Sequence, residues 1–147
     1  MSTWRSRLVD EGGSAVIEFS WLAVLLLVPL VYLVLCLARL QAGSYAVTQA
    51  ARESARAFVT APDDVSARAR SHVAADIAFV DQGFGGQGEV SSSCTASPCL
   101  SPGALVTTRA AVAVPLPLAP AFLDGVVPLE IPVSATQVAP VPEYEAR

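Results

Sequence analysis

Glu18 is the residue whose type and position most ask for a chemical account. It stands in "GGSAVIEFSW", residues 12–21, as the last formal charge before twenty residues, Phe19 to Ala38, that carry none. A carboxylate entering hydrocarbon costs about 2.5 to 3.5 kcal/mol at mid-membrane and less at the edge, so a compensating partner is expected. Two partners are open. One is the positive end of a helix that starts at about Ser14, with Ser14 as N-cap and Glu18 in the first turn or just past it. The other is a new α-amine: a cut between Gly13 and Ser14 makes Glu18 the fifth residue, followed by Phe19, and sets a cation within its reach.

A cut on the near side of the apolar run differs from ordinary secretion, in which a leader carries about 7 to 15 apolar residues and is cut beyond them. That ordinary route remains a competing reading, since "LQAG" offers a cut after Ala42 that would release a secreted or membrane-anchored binding module. Lipid attachment at Cys36 is disfavoured because "LVLC" lacks the usual small residue before the cysteine.

Other candidate groups carry less. "GFGGQG", Gly83 to Gly88, fits a dinucleotide-loop pattern, but that loop needs a strand before it and a helix after it, and here a helix precedes and a Ser-rich loop follows. His72, the one histidine, has Ser71 and Asp76 near it in sequence, yet helical geometry separates their faces and predicts an exposed polar residue. "PLAP", Pro117 to Pro120, is a chance PxxP. Cys94 and Cys99 lie in the polar loop "SSSCTASPCLSPG" with no second Cys or His pair to complete a metal shell, and they read as a disulfide of an oxidising compartment. The chain thus offers no metal shell, catalytic triad or cofactor cradle, and the expectation is a protein that is not an enzyme, with no cofactor and no small-molecule substrate.

The elements that must position these groups follow from the hydropathy. The run "FSWLAVLLLVPLVYLVLCLA" is twenty residues, about 30 Å as a helix, which matches a bilayer core. It predicts a single transmembrane helix over residues 19–38, with Pro29 tolerated inside it. "RLQAGSYAVTQAARESARAFVTA" continues in strong helix formers as far as Ala61, with Gly43 its weak point. Asp63 or Asp64 then caps a second, amphipathic helix with Val65, Ala69, Val73 and Ile77 along one face. Residues 81–103 read as loop, with at most a short strand near Glu89 and Val90. "ALVTTRAAVAV" alternates Val106, Thr108, Ala110, Val112 and Val114 against Thr107, Arg109, Ala111 and Ala113, the period of a half-buried strand. "EIPVSATQVAP" is a weaker strand that Pro132 confines to a sheet edge or to its own first residues. The fold class is α+β: a long N-terminal helix over residues 14–61, then a small α+β domain over residues 62–147 made of the second helix and an antiparallel β-rich part, too small to be comfortably stable without the long helix or partners.

A net charge of −4 and the absence of lysine argue against a nucleic-acid partner. Counting arginines does not orient the span, since Arg5 and Arg7 precede it while Arg39, Arg52 and Arg56 follow it. The cysteine pair puts the C-terminal part outside the cytoplasm.

"GSAVIEF" together with "LARLQAGSYAVTQAARESARAF" resembles the TadE-like minor pilins, or pseudopilins, of the tight-adherence (Tad/Flp) pilus machinery, over about Gly13 to Val59. The resemblance rests on Gly13, Ser14, Glu18 and Phe19 at the cut, on Arg39 and Gln49, and on Ala51, Arg52, Glu53, Ala55 and Arg56 in an AREAAR-like stretch. It implies a cytoplasmic leader over residues 1–13 removed by a prepilin peptidase, with Glu18 and Phe19 serving peptidase recognition and subunit assembly. It further implies a single-pass protein of a bacterial cytoplasmic membrane whose partners are other pilins, the pilus assembly platform and the lipid bilayer. Pro29 lies ten residues beyond Phe19, further along than in the members it resembles, so their kink geometry is not carried over.

Overall fold

A computed structural model describes residues 12–117 and 129–143, with side chains from Val16 onward. The elements run in the order α1 (Gly12–Val59), α2 (Asp64–Asp81), β1 (Gly88–Cys94), β2 (Leu105–Pro115) and β3 (Glu130–Pro140). This is the expected α+β class. The chain divides into two compact units, the first ending at Leu35 and the second beginning at Cys36, and α1 supplies residues to both.

In the first unit α1 is apolar and uncovered. From Val16 to Leu35 every side chain is exposed, including Phe19, Trp21 and Leu25 at about two-thirds or more of their full area. A helix apolar on all sides suits hydrocarbon, and this one is long and apolar enough to cross a membrane. Pro29 lies within it, and the helix runs on through the proline. Two expectations about its start are corrected. Gly12 and Gly13 are helical, since glycine disfavours a helix by only about 1 kcal/mol per residue and does not stop one. Ser14 is consequently inside α1 and is not its N-cap.

The second unit is a three-stranded antiparallel sheet, order β1-β2-β3, with the later part of α1 and with α2 on one face. The alternation read in β2 is correct: Val106, Thr108, Ala110, Val112 and Val114 are all buried, while Arg109 and Ala113 face out. Around them gather Ala46, Val47, Ala50 and Ala51 of α1, Ala75, Ala78 and Phe79 of α2, and Phe84 of the following turn. A second cluster joins Phe58, Val59 and Ala61 to Ala67, Leu100, Ala104, Val106 and Val141. Both clusters depend on α1, so this small sheet does lean on the long helix for its apolar cover.

α2 is oriented opposite to expectation. Val65, Val73 and Ile77 are exposed, at 80%, 59% and 58%, and Ala69 with them, whereas Ala67, Ser71, Ala75, Ala78 and Phe79 are buried. The reason is packing distance. Small side chains let α2 approach α1 closely enough for Ser54 Oγ to donate to the backbone carbonyl of Ser71 at 3.0 Å, and a row of branched residues would hold the helices apart.

The short strand expected near Glu89 and Val90 is present and longer than expected: β1 has seven residues, paired with β2 from Gly88–Val112 to Cys94–Val106. Its serine half is what the sequence does not signal, because Ser91, Ser92 and Ser93 are all exposed and no hydrophobic alternation is needed there. β3 spans the residues expected and is an edge strand with Pro132 inside it.

Candidate functional site

The residues singled out by sequence fall into three places. At the start of α1, Gly13 and Ser14 are helical, and the leader residues 1–11 lie outside the described part. The first turn of α1 carries no acidic residue. With α1 already helical at Gly12, Glu18 sits beyond its first turn, where the favourable field of a helix N-terminus has largely decayed. Its carboxylate is exposed and has no ion-pair partner among the described residues. Phe19 beside it is 71% exposed.

The second place is the segment after the apolar stretch. Its alanines and its charges separate cleanly by helical phase: Ala51 and Ala55 are 1% exposed and face the core, while Gln49, Arg52, Glu53 and Arg56 are on the outside. Arg52, Glu53 and Arg56 have no ion-pair partner among the described residues. Arg52 and Arg56 line a cleft of about 440 Å³ together with Gln137, Ala139 and Pro140 of β3. Arg52 also borders a second cleft of about 410 Å³, shared with Tyr45, Thr48, Gln49, Glu53 and Gln82. Arg39 does something different. Its guanidinium lies 5.4 Å from the ring centroid of Phe84, a cation–π contact that covers a fully buried aromatic.

The third place is the disulfide loop. Cys94 and Cys99 are bonded, with Cα atoms 5.4 Å apart. Cys36 is the free thiol and is half-buried. A residue that sequence reading took only as a possible cap fixes this loop to α2: the Asp64 carboxylate accepts from the backbone N–H of Cys99 at 3.1 Å and of Leu100 at 3.2 Å. Asp63 is the cap itself, accepting from the Ser66 N–H and the Ser66 hydroxyl, each at 2.8 Å. The backbone hydrogen bond from Ser66, aided by that hydroxyl, holds the Asp63 carboxyl below its ordinary value. The Asp–Asp pair therefore divides two tasks that one carboxylate could not perform.

The remaining candidates are structural. In "GFGGQG", Phe84 fills the core, Gly83 and Gly86 have φ of 77° and 71°, and Gly88 leaves room for the Phe79 ring, which occupies the place a Cβ would take. Ser71 is buried and His72 exposed, so the two do not face each other. His72 borders a cleft of about 340 Å³ with Asp76 and Glu89, and no group of three or more metal-ligating side chains is found among the described residues. The expected PxxP at Pro117 to Pro120 runs out of the described residues. The Ala42–Gly43 bond, where ordinary signal peptidase would cut, is inside α1, and Gly43 is buried against Val114.

Comparison with protein-family models, with curated proteins and with solved structures gave no match.

Proposed function

We propose that the chain is a TadE-like minor pilin or pseudopilin: a non-enzymatic subunit held in a bacterial cytoplasmic membrane by α1, clipped after Gly13, and built into a Tad/Flp-type pilus or a related secretion assembly. The observation that carries this reading is Glu18. Among the described residues it is a carboxylate without an ion-pair partner, at the head of an apolar helix that they leave uncovered, beyond the turn in which the helix dipole could serve it. Removal of residues 1–13 supplies what is missing. The new α-amine of Ser14 lies one helical turn away, on the same helix or on a neighbour in staggered register, and neutralises the acid as it enters the membrane.

The site then has a simple chemistry. The peptidase makes the cation, the carboxylate receives it, and the apolar stretch stays with the mature subunit as its stem. The unbroken helix at Ala42–Gly43 supports this reading over release by ordinary signal peptidase. So does the disulfide, which suits a C-terminal unit outside the cytoplasm. The partners on this reading are the prepilin peptidase, other pilins, the assembly platform and lipid.

The decisive experiment is intact mass and N-terminal sequencing of the protein purified from membranes of cells with an active prepilin peptidase. A mature chain beginning at Ser14 is expected. An intact N-terminus, or a soluble product beginning at Gly43, overturns the proposal.

A further inference from the structure

Among the described residues the edge of β3 is open in a restricted way. Leu116 N–H donates to the carbonyl of Leu129, and Val141 N–H to that of Ala104, both at 2.8 Å, with Leu105–Pro140 through Pro115–Glu130 in register between them. Odd-numbered β3 residues therefore bond to β2, and even-numbered ones direct their N–H and C=O groups outward. Pro132 and Pro140 fall on outward positions and have no N–H to offer. Between them remains a window of three outward donors, at Ser134, Thr136 and Val138. The Val138 carbonyl already accepts from Gln137 Nε2 at 3.1 Å.

Beside this window the helix layer leaves a gap. The inward residues of β2 are fully buried, but their β3 neighbours Gln137 and Ala139 are only half-buried, and the space next to them is the cleft that Arg52 and Arg56 line. Among the described residues no acid borders that cleft and neither arginine has an ion-pair partner. A strand added to β3 would lie about 4.8 Å further out and carry its inward side chains over this flank of α1. Residues four apart on a helix have Cβ atoms about 5–6 Å apart. Residues two apart on a strand are about 6.6–6.8 Å apart. Two acids separated by one residue thus match Arg52 and Arg56, one carboxylate to each guanidinium.

The sequence contains one such pair, Glu143 and Glu145 in "VPEYEAR". In its own chain the residues that lead into this pair, Val141 to Glu143, start away from the window. Val141 is tied to the beginning of β2 by its N–H to Ala104 and by its carbonyl, which accepts from Gly103 N–H at 3.2 Å, and Pro142 follows. Returning along β3 would require a reversal within Pro142 and Glu143. A second copy supplies the segment without one. We infer that residues 143–145 of one copy add as a strand to the Ser134–Val138 edge of another, with Glu143 and Glu145 against Arg52 and Arg56. Edge and segment are different surfaces, so each copy can give one and receive one, and the contact propagates head to tail. It requires no cleavage of the leader and stands apart from the pilin reading.

The test uses the full chain in detergent micelles and a fluorescent peptide of residues 141–147, followed by anisotropy. Saturable binding is expected. It should weaken at least tenfold with R52E/R56E and with Thr136→Pro, which removes the central outward donor. A peptide with both glutamates replaced by arginine should bind the R52E/R56E chain and not the wild type. Absence of saturable binding to the wild type, or binding unchanged by R52E/R56E, overturns the inference. So does binding that appears only once residues 143–147 are deleted, because the segment would then occupy its own edge.

Discussion

Gly43 of α1 lies against Val114 of β2 so closely that a Cβ at position 43 would occupy the place of Val114 Cγ2. The weakest helix former after the apolar stretch is thus the point where the central strand seats on the helix. Glycine's cost to the helix, about 1 kcal/mol relative to alanine, is offset by the approach it permits.

Gly43→Ala sets these effects against each other. The substitution gains about 1 kcal/mol of helix propensity and loses about 1–3 kcal/mol to overpacking, so a net loss of stability is expected. Combining it with Val114→Ala should cost less than the sum of the single changes. Thermal unfolding of the four chains in micelles measures the coupling, and simple additivity would show that the two residues do not meet.

Thr108 is fully buried at the centre of β2, and its hydroxyl has no hydrogen-bond partner among the described residues. Thr108→Val keeps the shape and removes a desolvated polar group, so it should raise stability by about 1 kcal/mol. A lower unfolding midpoint for this variant would contradict the packing described.

The Cys94–Cys99 bridge closes a short loop, worth about 2 kcal/mol on the chain-entropy account. Replacing both cysteines by serine should cost that amount. Asp64→Asn should also destabilise, since it weakens the two bonds that tie the loop to α2. Because both changes free the same loop, the triple variant is expected to lose less than the sum of the two losses, as denaturant titration would report.

Asp63 gives α2 a pH-dependent start. Its folded pKa is lowered, so its contribution is present above the unfolded carboxylate value and is lost as pH falls through the lower folded one. Asp63→Asn keeps a capping oxygen but cannot titrate. The stability of the wild type relative to this variant should therefore be constant near neutrality and decline below about pH 4. A difference that stays flat down to pH 2 would count against the ionised cap.

At the head of α1, Gly13→Leu is expected to leave the chain uncut in cells with an active prepilin peptidase, while the wild type loses residues 1–13. Glu18→Gln should accumulate in the membrane and fail to enter the assembly, read by shearing and fractionation. Normal incorporation of the glutamine variant would leave α1 as a plain anchor.

Much of this arrangement was legible because it is periodic or punctuated. Strict alternation gave β2 and its buried face, twenty uncharged residues gave the apolar helix, and the cysteine spacing gave the disulfide. The errors have a common physical source. On α2 the spacing of the larger apolar residues points to them as the buried face, but the neighbouring helix selects the small ones, and no pattern within α2 reveals what α1 presents to it. In β1 the serines carry no hydropathy signal, and its place depends on pairing with β2. Gly43 reads as a weak point in sequence and Gly88 as part of a loop pattern, because the side chains that need their space, Val114 and Phe79, are remote along the chain. The charges of the candidate site were identifiable one by one, yet the cleft between Arg52, Arg56 and β3 exists only through tertiary packing.

Among the described residues of the second unit, half of the buried apolar positions are alanine, with Phe58, Phe79 and Phe84 as the large side chains among them. An interior of methyl groups has little to lose by trimming and almost no room to accept more. The unit should therefore be intolerant of enlargement and comparatively indifferent to alanine-to-glycine changes outside its helices, the reverse of a leucine-rich protein. Sequence drift here would be confined to swapping one small residue for another, and the three aromatic rings would be the anchors around which such exchanges are made.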